Sequence, residues 1–330
     1  MRRNQTPRIF DNSFVRSSQH HDIVAQRLVE MPQPTGRGSS AFGRSRIPRV
    51  TSTLTLPDGQ QVHLGERTQG GSKNNTRYGT LGNGRPVVVK IQATHGHLRS
   101  EEAALTFAAG QGLPTPTVVG SGVADDGGYF LVLTEEIGSR TNQPDGWQRM
   151  GQDYARLAGA TIIDCPLPTV RPDRFAADHR ERLDAIKAFL TGPAEDEIRR
   201  AIRHLANTGR LVLTHGDPGS GNYLDSPAGG TILDWETASV APFGIDAGRA
   251  GFIALLDLGR TGIPDQLHAA FIRGYRAGLP AGQSLTDQTL RAGVLIAALQ
   301  FIHGRHTQPL RPDRTPQLAV DALTGYLGVG

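Results

Sequence analysis

The 330-residue chain has a single cysteine, only three lysines and no long apolar run. With Cys165 alone, the chain can form neither an intrachain disulfide nor a zinc site built from several cysteines, and this low content is typical of a reducing compartment. No stretch approaches the apolar length that crosses a membrane. The N-terminal arginines are not followed by the hydrophobic segment of an export signal. These absences predict a soluble, cytoplasmic protein.

The basic charge of the chain is confined to its first 50 residues. That segment has nine arginines and three acidic residues, a net charge of +6, which leaves −2 for residues 51–330. The pI of about 9.5 therefore does not indicate a nucleic-acid-binding body. A solvated extension is the commoner meaning of such an arm, so we expect neither nucleic acid nor a membrane as a partner.

Composition and patterning divide the chain into three parts. Residues 1–49 are predicted to form a basic, partly flexible extension, with a linker-like run and one short helix candidate at 20–31. Residues 50–138 alternate as β-hairpins do and contain one helix, at 100–112. Residues 139–330 are mostly helical, interrupted by two short apolar segments that each end in an acidic residue. The predicted helices of this third part are 144–160, 177–190, 194–207, 245–257, 264–277, 286–303 and 315–327.

The strongest chemical signal is THGDPGSGNYL at residues 214–224. A predicted strand leads to Asp217, and Asn222 follows five residues later. A second predicted strand then ends in LDWE, which places Asp234 twelve residues beyond Asn222. Phosphoryl transfer needs one carboxylate beside the attacking hydroxyl and hard oxygen ligands for magnesium, and these residues are of those types. The alternative is that Asp-Pro-Gly-Ser-Gly-Asn forms only a turn.

Lys90 is the second candidate, because it lies inside the apolar strand VVVKI. A buried ammonium group requires an anionic partner, which a helix glutamate and a nucleotide phosphate would both provide. The alternative is an edge-strand lysine whose head group reaches water. Upstream, the loop 70–74 (GGSKN) has small residues that let backbone N–H groups approach phosphate oxygens.

Together these motifs resemble the aminoglycoside phosphotransferase and choline kinase-like family, relatives of the protein kinases. The resemblance runs from about residue 60 to 325, and HGDxxxxN followed by LDWE is its specific part. It implies an α+β, protein-kinase-like bilobal fold, with a small β-rich N-lobe carrying one helix (50–138) and a larger, mostly helical C-lobe (139–330). The chain has no GxGxxG, HRD, DFG or APE motif, which argues against a protein kinase.

The resemblance also implies ATP and Mg²⁺ as cofactors and a role for each matching residue. Asp217 would orient or deprotonate the acceptor hydroxyl, while Asn222 and Asp234 would bind magnesium. Lys90 would hold the α- and β-phosphates and pair with Glu102, which we prefer to Glu101 because of its distance from the LPTP motif. The remaining nucleotide contacts are expected from Gly71, Ser72, Asn74, Thr134 and Glu136.

The predicted function is ATP- and magnesium-dependent O-phosphotransfer to a hydroxyl of a small molecule, with an aminoglycoside or another antibiotic as the first acceptor class. A metabolic kinase for an amino alcohol, homoserine or a sugar is one alternative, and a non-catalytic nucleotide-binding protein is another. Residues 140–330 contain 20 basic and 20 acidic residues, so the C-lobe lacks the acidic excess expected for a polycationic acceptor. The acidic run between residues 181 and 197 is interpreted as a solvated helix face. The oligomeric state is left open.

Overall fold

The computed structural model describes residues 53–68, 75–93, 96–141, 143–261, 265–307 and 316–328. The helix predicted at 20–31 and the loop 70–74, with Gly71, Ser72 and Asn74, lie outside the described residues. Within the described ranges the chain forms ten β-strands and eight α-helices.

The small lobe is built on a six-stranded antiparallel sheet. Its strands are β1 (Thr53–Thr55), β2 (Gln61–Arg67), β3 (Asn75–Leu81), β4 (Pro86–Gln92), β5 (Val118–Val123) and β6 (Tyr129–Thr134). Their order in the sheet is β1-β2-β3-β4-β6-β5. A single helix, α1 (Gly96–Gly110), follows β4 and packs on one face of this sheet. Side chains alternate between the two faces, so Phe130 and Val132 join the core on the face away from α1, while Leu131 and Leu133 pack toward the helix.

The large lobe consists mainly of helices. Their bounds are α2 (Pro144–Leu157), α3 (Pro172–Ile186), α4 (Gly192–Asn207), α5 (Ile245–Thr261), α6 (Asp265–Gly278), α7 (Asp287–Thr307) and α8 (Pro316–Leu327). Helix α3 begins five residues before its predicted start, because Pro172 occupies its first turn and Phe175 and Ala176 already pack in the core. None of the helices among the described residues is both long and apolar enough to cross a membrane.

Two short antiparallel ribbons lie within the helical lobe. Strand β7 (Leu211–Thr214) pairs with β10 (Ser239–Pro242), and β8 (Tyr223–Leu224) pairs with β9 (Thr231–Ile232). The segments that follow β7 and β9 are HGD and LDWE, so both motifs leave a strand end as predicted. The sheet with α1 and the helical part with its ribbons form the two lobes of the predicted α+β, protein-kinase-like fold.

Candidate active site

A cleft of about 640 Å³ is lined by residues from both lobes. Six of the predicted site residues line it: Lys90, Thr134, Glu136, Asp217, Asn222 and Asp234. Its volume is within the range of sites that bind small molecules and nucleotides. Glu102 is not among the lining residues.

Lys90 is held in the cleft by two carboxylates. Its register opposite Leu131 turns its side chain toward α1, where Nζ donates to Oε1 of Glu101 at 2.5 Å. Nζ also donates to Oδ1 of Asp234 at 2.9 Å. Burial lowers the pKa of Lys90, but the charges of Glu101 and Asp234 outweigh it, so the pKa is raised above its ordinary value. Lys90 therefore stays charged and available to an anionic ligand.

The predicted ion pair between Lys90 and Glu102 is wrong, since Glu101 is the partner. Successive residues of a helix point about 100° apart, so the two neighbouring glutamates meet different strands of the sheet, and only one of them can reach Lys90. Glu101 lies in the buried stripe of α1 that includes Leu98 and Leu105, whereas Glu102 falls outside it. There Glu102 accepts hydrogen bonds from Ser121 Oγ at 2.7 Å and Tyr129 Oη at 2.5 Å.

Asp234, which contacts Lys90, has a left-handed backbone, with φ 61° and ψ 63°. This conformation is costly for a residue with a Cβ atom and is concentrated at functional sites. The next residue, Trp235, is fully buried, and its Nε1 donates to the carbonyl of Ile232 at 2.8 Å. This anchor fixes the chain after β9 and sets the direction of the Asp234 carboxylate.

Asp217 and Asn222 are joined within the HGDPGSGN loop. Asn222 Nδ2 donates to the Asp217 carbonyl at 2.9 Å and to Asp217 Oδ2 at 3.1 Å. Because this amide nitrogen is committed to Asp217, the amide oxygen of Asn222 is the atom that can serve as a metal ligand. The other carboxylate oxygen of Asp217 accepts from Arg249 of α5, a contact that sequence reasoning missed.

Buried residues brace the loop from below. The Asp246 carboxylate accepts from the backbone N–H groups of His215 at 2.7 Å and Gly216 at 3.0 Å. His215 Nε2 donates to the carbonyl of Leu233 at 2.8 Å, which ties the HGD segment to the LDWE segment. Burial lowers the pKa of His215, so the imidazole remains neutral and acts as a structural link between the two motifs.

The connector between the lobes supplies Thr134 and Glu136. The Thr134 N–H donates to the carbonyl of Thr117 at 2.9 Å, and its Oγ1 donates to Glu136 Oε1 at 2.5 Å. A nucleobase contact from Thr134 would therefore use its carbonyl rather than its N–H group. Contact between these two residues and adenine remains a prediction.

The residues present fit a magnesium–nucleotide complex. Asn222 and Asp234 offer hard oxygen donors, and Lys90 offers a cation on the same cleft. Among the described residues there is no cluster of three or more His, Cys, Asp or Glu side chains that could hold a metal alone. Magnesium usually binds through one or two protein oxygens together with phosphate oxygens, so this donor set suits a metal that arrives with a nucleotide.

Comparison with solved structures finds the same fold in several phosphotransferases. A Ralstonia eutropha JMP134 protein assigned to the aminoglycoside phosphotransferases matches at a TM-score of 0.58 and 16% identity, over 79% of this chain and 91% of that chain. Macrolide 2'-phosphotransferase MphH from Brachybacterium faecium matches at 0.55 and 14%, over 79% and 93%. A thermostable mutant of aminoglycoside phosphotransferase APH(4)-Ia, in a ternary complex with ADP and hygromycin B, matches at 0.57 and 14%, over 81% and 96%.

Sequence comparison assigns the chain to a family. No curated protein matches it significantly in sequence. The family model of the phosphotransferase enzyme family (APH), however, matches residues 65–285, about two thirds of the chain. The matched range contains Lys90, Asp217, Asn222 and Asp234, which the structure brings to one cleft. This chain therefore belongs to the phosphotransferase enzyme family.

Proposed function

We propose that the protein is an ATP- and magnesium-dependent O-phosphotransferase that acts on a hydroxyl group of a small molecule. The observation that supports this most strongly is the convergence of Lys90, Asp217, Asn222 and Asp234 on one cleft. Each has the residue type that phosphoryl transfer requires at that place. We assign nucleotide binding to residues 50–138 and catalysis and acceptor binding to residues 139–330. We also place the reaction in the cytoplasm.

Each site residue has a separate task in this mechanism. Lys90, held by Glu101, would contact the α- and β-phosphates, and Asn222 and Asp234 would hold the metal. Bound ATP would supply the γ-phosphoryl group and leave as ADP, and magnesium would neutralise the charge of the phosphates. Asp217 would orient the acceptor hydroxyl and take up its proton as the new phosphate ester forms. The Lys90–Asp234 contact would loosen when Asp234 turns to the metal.

The intact site argues against a non-catalytic nucleotide-binding protein. Nucleotide binding alone does not require a carboxylate beside the acceptor, yet Asp217 is present and accepts hydrogen bonds from Asn222 and Arg249. A protein that only binds a nucleotide gains nothing from this arrangement. We therefore favour a catalytic function.

The acceptor class is the finer part of the proposal. Fold neighbours are named as aminoglycoside and macrolide phosphotransferases, which supports an antibiotic hydroxyl as acceptor. A specific observation favours a less cationic acceptor, such as a sugar or another metabolite alcohol. Residues 140–330 contain 20 basic and 20 acidic residues, so this part of the chain has no acidic excess to attract a polycation.

A mass-spectrometric screen tests the proposal. The protein is incubated with ATP, magnesium and a mixture of aminoglycosides, macrolides, sugars and amino alcohols, and each acceptor is examined for the mass of one added phosphate. We expect a product with the unaltered protein and none with Asp217→Asn. Equal amounts of product from both proteins, or no product from any acceptor, would count against the proposed function.

A further inference from the structure

The proposed mechanism assigns no role to Arg249 of α5. Its guanidinium group donates to Oδ1 of Asp217 from Nε at 3.1 Å and from Nη2 at 2.8 Å. Both carboxylate oxygens of Asp217 thus have an assigned donor, since Oδ2 accepts from Asn222. The two bonds from one rigid guanidinium restrain the carboxylate more strongly than a single donor would.

Two further side chains hold Arg249 in turn. Its Nη1 donates to Oε1 of Gln300 at 3.3 Å, and Gln300 Nε2 lies 3.1 Å from Nε2 of His179. The other ring nitrogen of His179 lies 2.8 Å from the carbonyl oxygen of Phe175. These contacts link α3, α7 and α5 to the HGDPGSGN loop.

The proton positions in this chain of contacts are mutually consistent. A carbonyl oxygen only accepts, so His179 Nδ1 must carry the proton and Nε2 must be the acceptor. Gln300 then donates its amide N–H to Nε2, and its amide oxygen is left to accept from Arg249. The orientation of the Gln300 amide follows from the tautomer of a buried histidine.

Packing restrains the same groups. His179 is only 5% exposed, so the tautomer is set within the protein rather than by water. The Cζ atom of Arg249 lies 5.1 Å from the centroid of the Phe301 ring, which holds the guanidinium plane from one side. Arg249 is therefore oriented by Gln300, by Phe301 and by Asp217 itself.

We propose that Arg249 is a positioning residue for Asp217, and that Gln300 and His179 fix Arg249 for this task. The inference rests on the proposed function, because it assumes that Asp217 acts on the acceptor hydroxyl. With Oδ1 occupied by Arg249, Oδ2 is the oxygen that faces the acceptor, since a carboxylate oxygen has a lone pair left after the single bond from Asn222. Arg249 thereby decides which Asp217 oxygen takes the proton.

Arg249→Ala tests the proposal. We expect kcat for ATP-dependent phosphotransfer, measured with the acceptor found in the screen or with water, to fall by about tenfold to a hundredfold. The KM for ATP is expected to change by less than about twofold, because Arg249 does not line the nucleotide cleft. Added ethylguanidinium should restore part of kcat, and Arg249→Lys should retain part of it. A structural role alone would yield neither rescue.

Two further variants complete the test. Gln300→Leu removes the support of Arg249 without touching Asp217, and it should lower kcat less than Arg249→Ala does. Arg200→Gln is the matched control, because the exposed Arg200 also pairs with a carboxylate, Glu197, but neither residue lines the cleft. Its kcat should be unchanged.

The outcomes separate this inference from the proposed function. Loss of kcat in Arg249→Ala with a normal KM for ATP, a normal thermal midpoint and guanidinium rescue supports the inference. Unchanged kcat in Arg249→Ala, or a loss that neither guanidinium nor lysine restores, overturns it while the proposed function stands. If the unaltered protein shows no phosphotransfer that depends on Asp217, both the function and the inference fail.

Discussion

The ammonium group of Lys90 donates to Glu101 Oε1 at 2.5 Å, and this buried ion pair joins strand β4 to helix α1. The adjacent Glu102 makes no contact of this kind and instead accepts from Ser121 and Tyr129. The position of α1 thus determines where the ammonium group of Lys90 lies. Substitutions of the two neighbouring glutamates can therefore be compared directly, since only Glu101 contacts Lys90.

Glu101→Gln should impair nucleotide binding, whereas Glu102→Gln should not. The amide keeps the size of the side chain but removes its charge, so Lys90 loses its main partner and turns further toward Asp234. We expect the dissociation constant of Mg–ATP, measured by calorimetry, to rise about tenfold for Glu101→Gln. Equal effects of the two substitutions would contradict the assignment of Glu101.

Gly248→Ala should destabilise the large lobe. A Cβ atom at Gly248 would lie only 2.0 Å from the carbonyl carbon of Gly293, where α5 and α7 are in backbone contact. The helices would have to separate, at a cost of about 2–4 kcal/mol in the free energy of unfolding. Urea denaturation measures the change. Gly304→Ala is the control, because a Cβ there meets nothing within 4 Å and alanine favours the helix.

His179 should make the protein less stable in mild acid. Burial lowers the pKa of His179 to about 4, and the charge of Arg182 lowers it further. The hydrogen bond to the Phe175 carbonyl and the charge of Asp178 raise the pKa but do not offset the burial. Between pH 6.5 and 4 the unfolded chain therefore binds more protons than the folded one, so stability falls as the pH falls through this window. This shift should lower the free energy of unfolding by about 2 kcal/mol between pH 7 and pH 5.

The comparison with His179→Gln isolates this contribution. Urea denaturation of both proteins at pH 7 and pH 5 should show a larger loss of stability for the unaltered chain. The same loss in both proteins would mean that His179 is not the group that titrates. Other acidic and basic groups cancel in this comparison, because the two chains differ at one position.

Much of the fold and part of the candidate site were predictable from sequence. Local patterns predicted the hairpins, the single helix of the small lobe and most helices of the large lobe. The motif spacing predicted that Asp217, Asn222 and Asp234 lie together. They do so because each lies next to one of two short strand pairs. These features depend on residues that are close in sequence.

The missed features depend on packing between distant segments. Arg249 lies 32 residues beyond Asp217, and the two side chains meet because α5 packs against α7 beside the HGDPGSGN loop. Glu101 could have been found, since it continues the apolar stripe of Leu98 and Leu105 that faces the sheet. The distance from the LPTP motif therefore predicted the partner of Lys90 less well than this helical periodicity did.

In the proposed mechanism Asp217 acts on the acceptor, while Lys90 and Asp234 bind the nucleotide and its metal. The most direct test measures Mg–ATP binding by calorimetry and phosphotransfer by mass spectrometry for the unaltered protein, Asp217→Asn and Asp234→Ala. We predict that Asp217→Asn binds Mg–ATP within about threefold of the unaltered protein but loses about a thousandfold or more in turnover, whereas Asp234→Ala loses binding as well. Full phosphotransfer by Asp217→Asn would contradict the role proposed for Asp217.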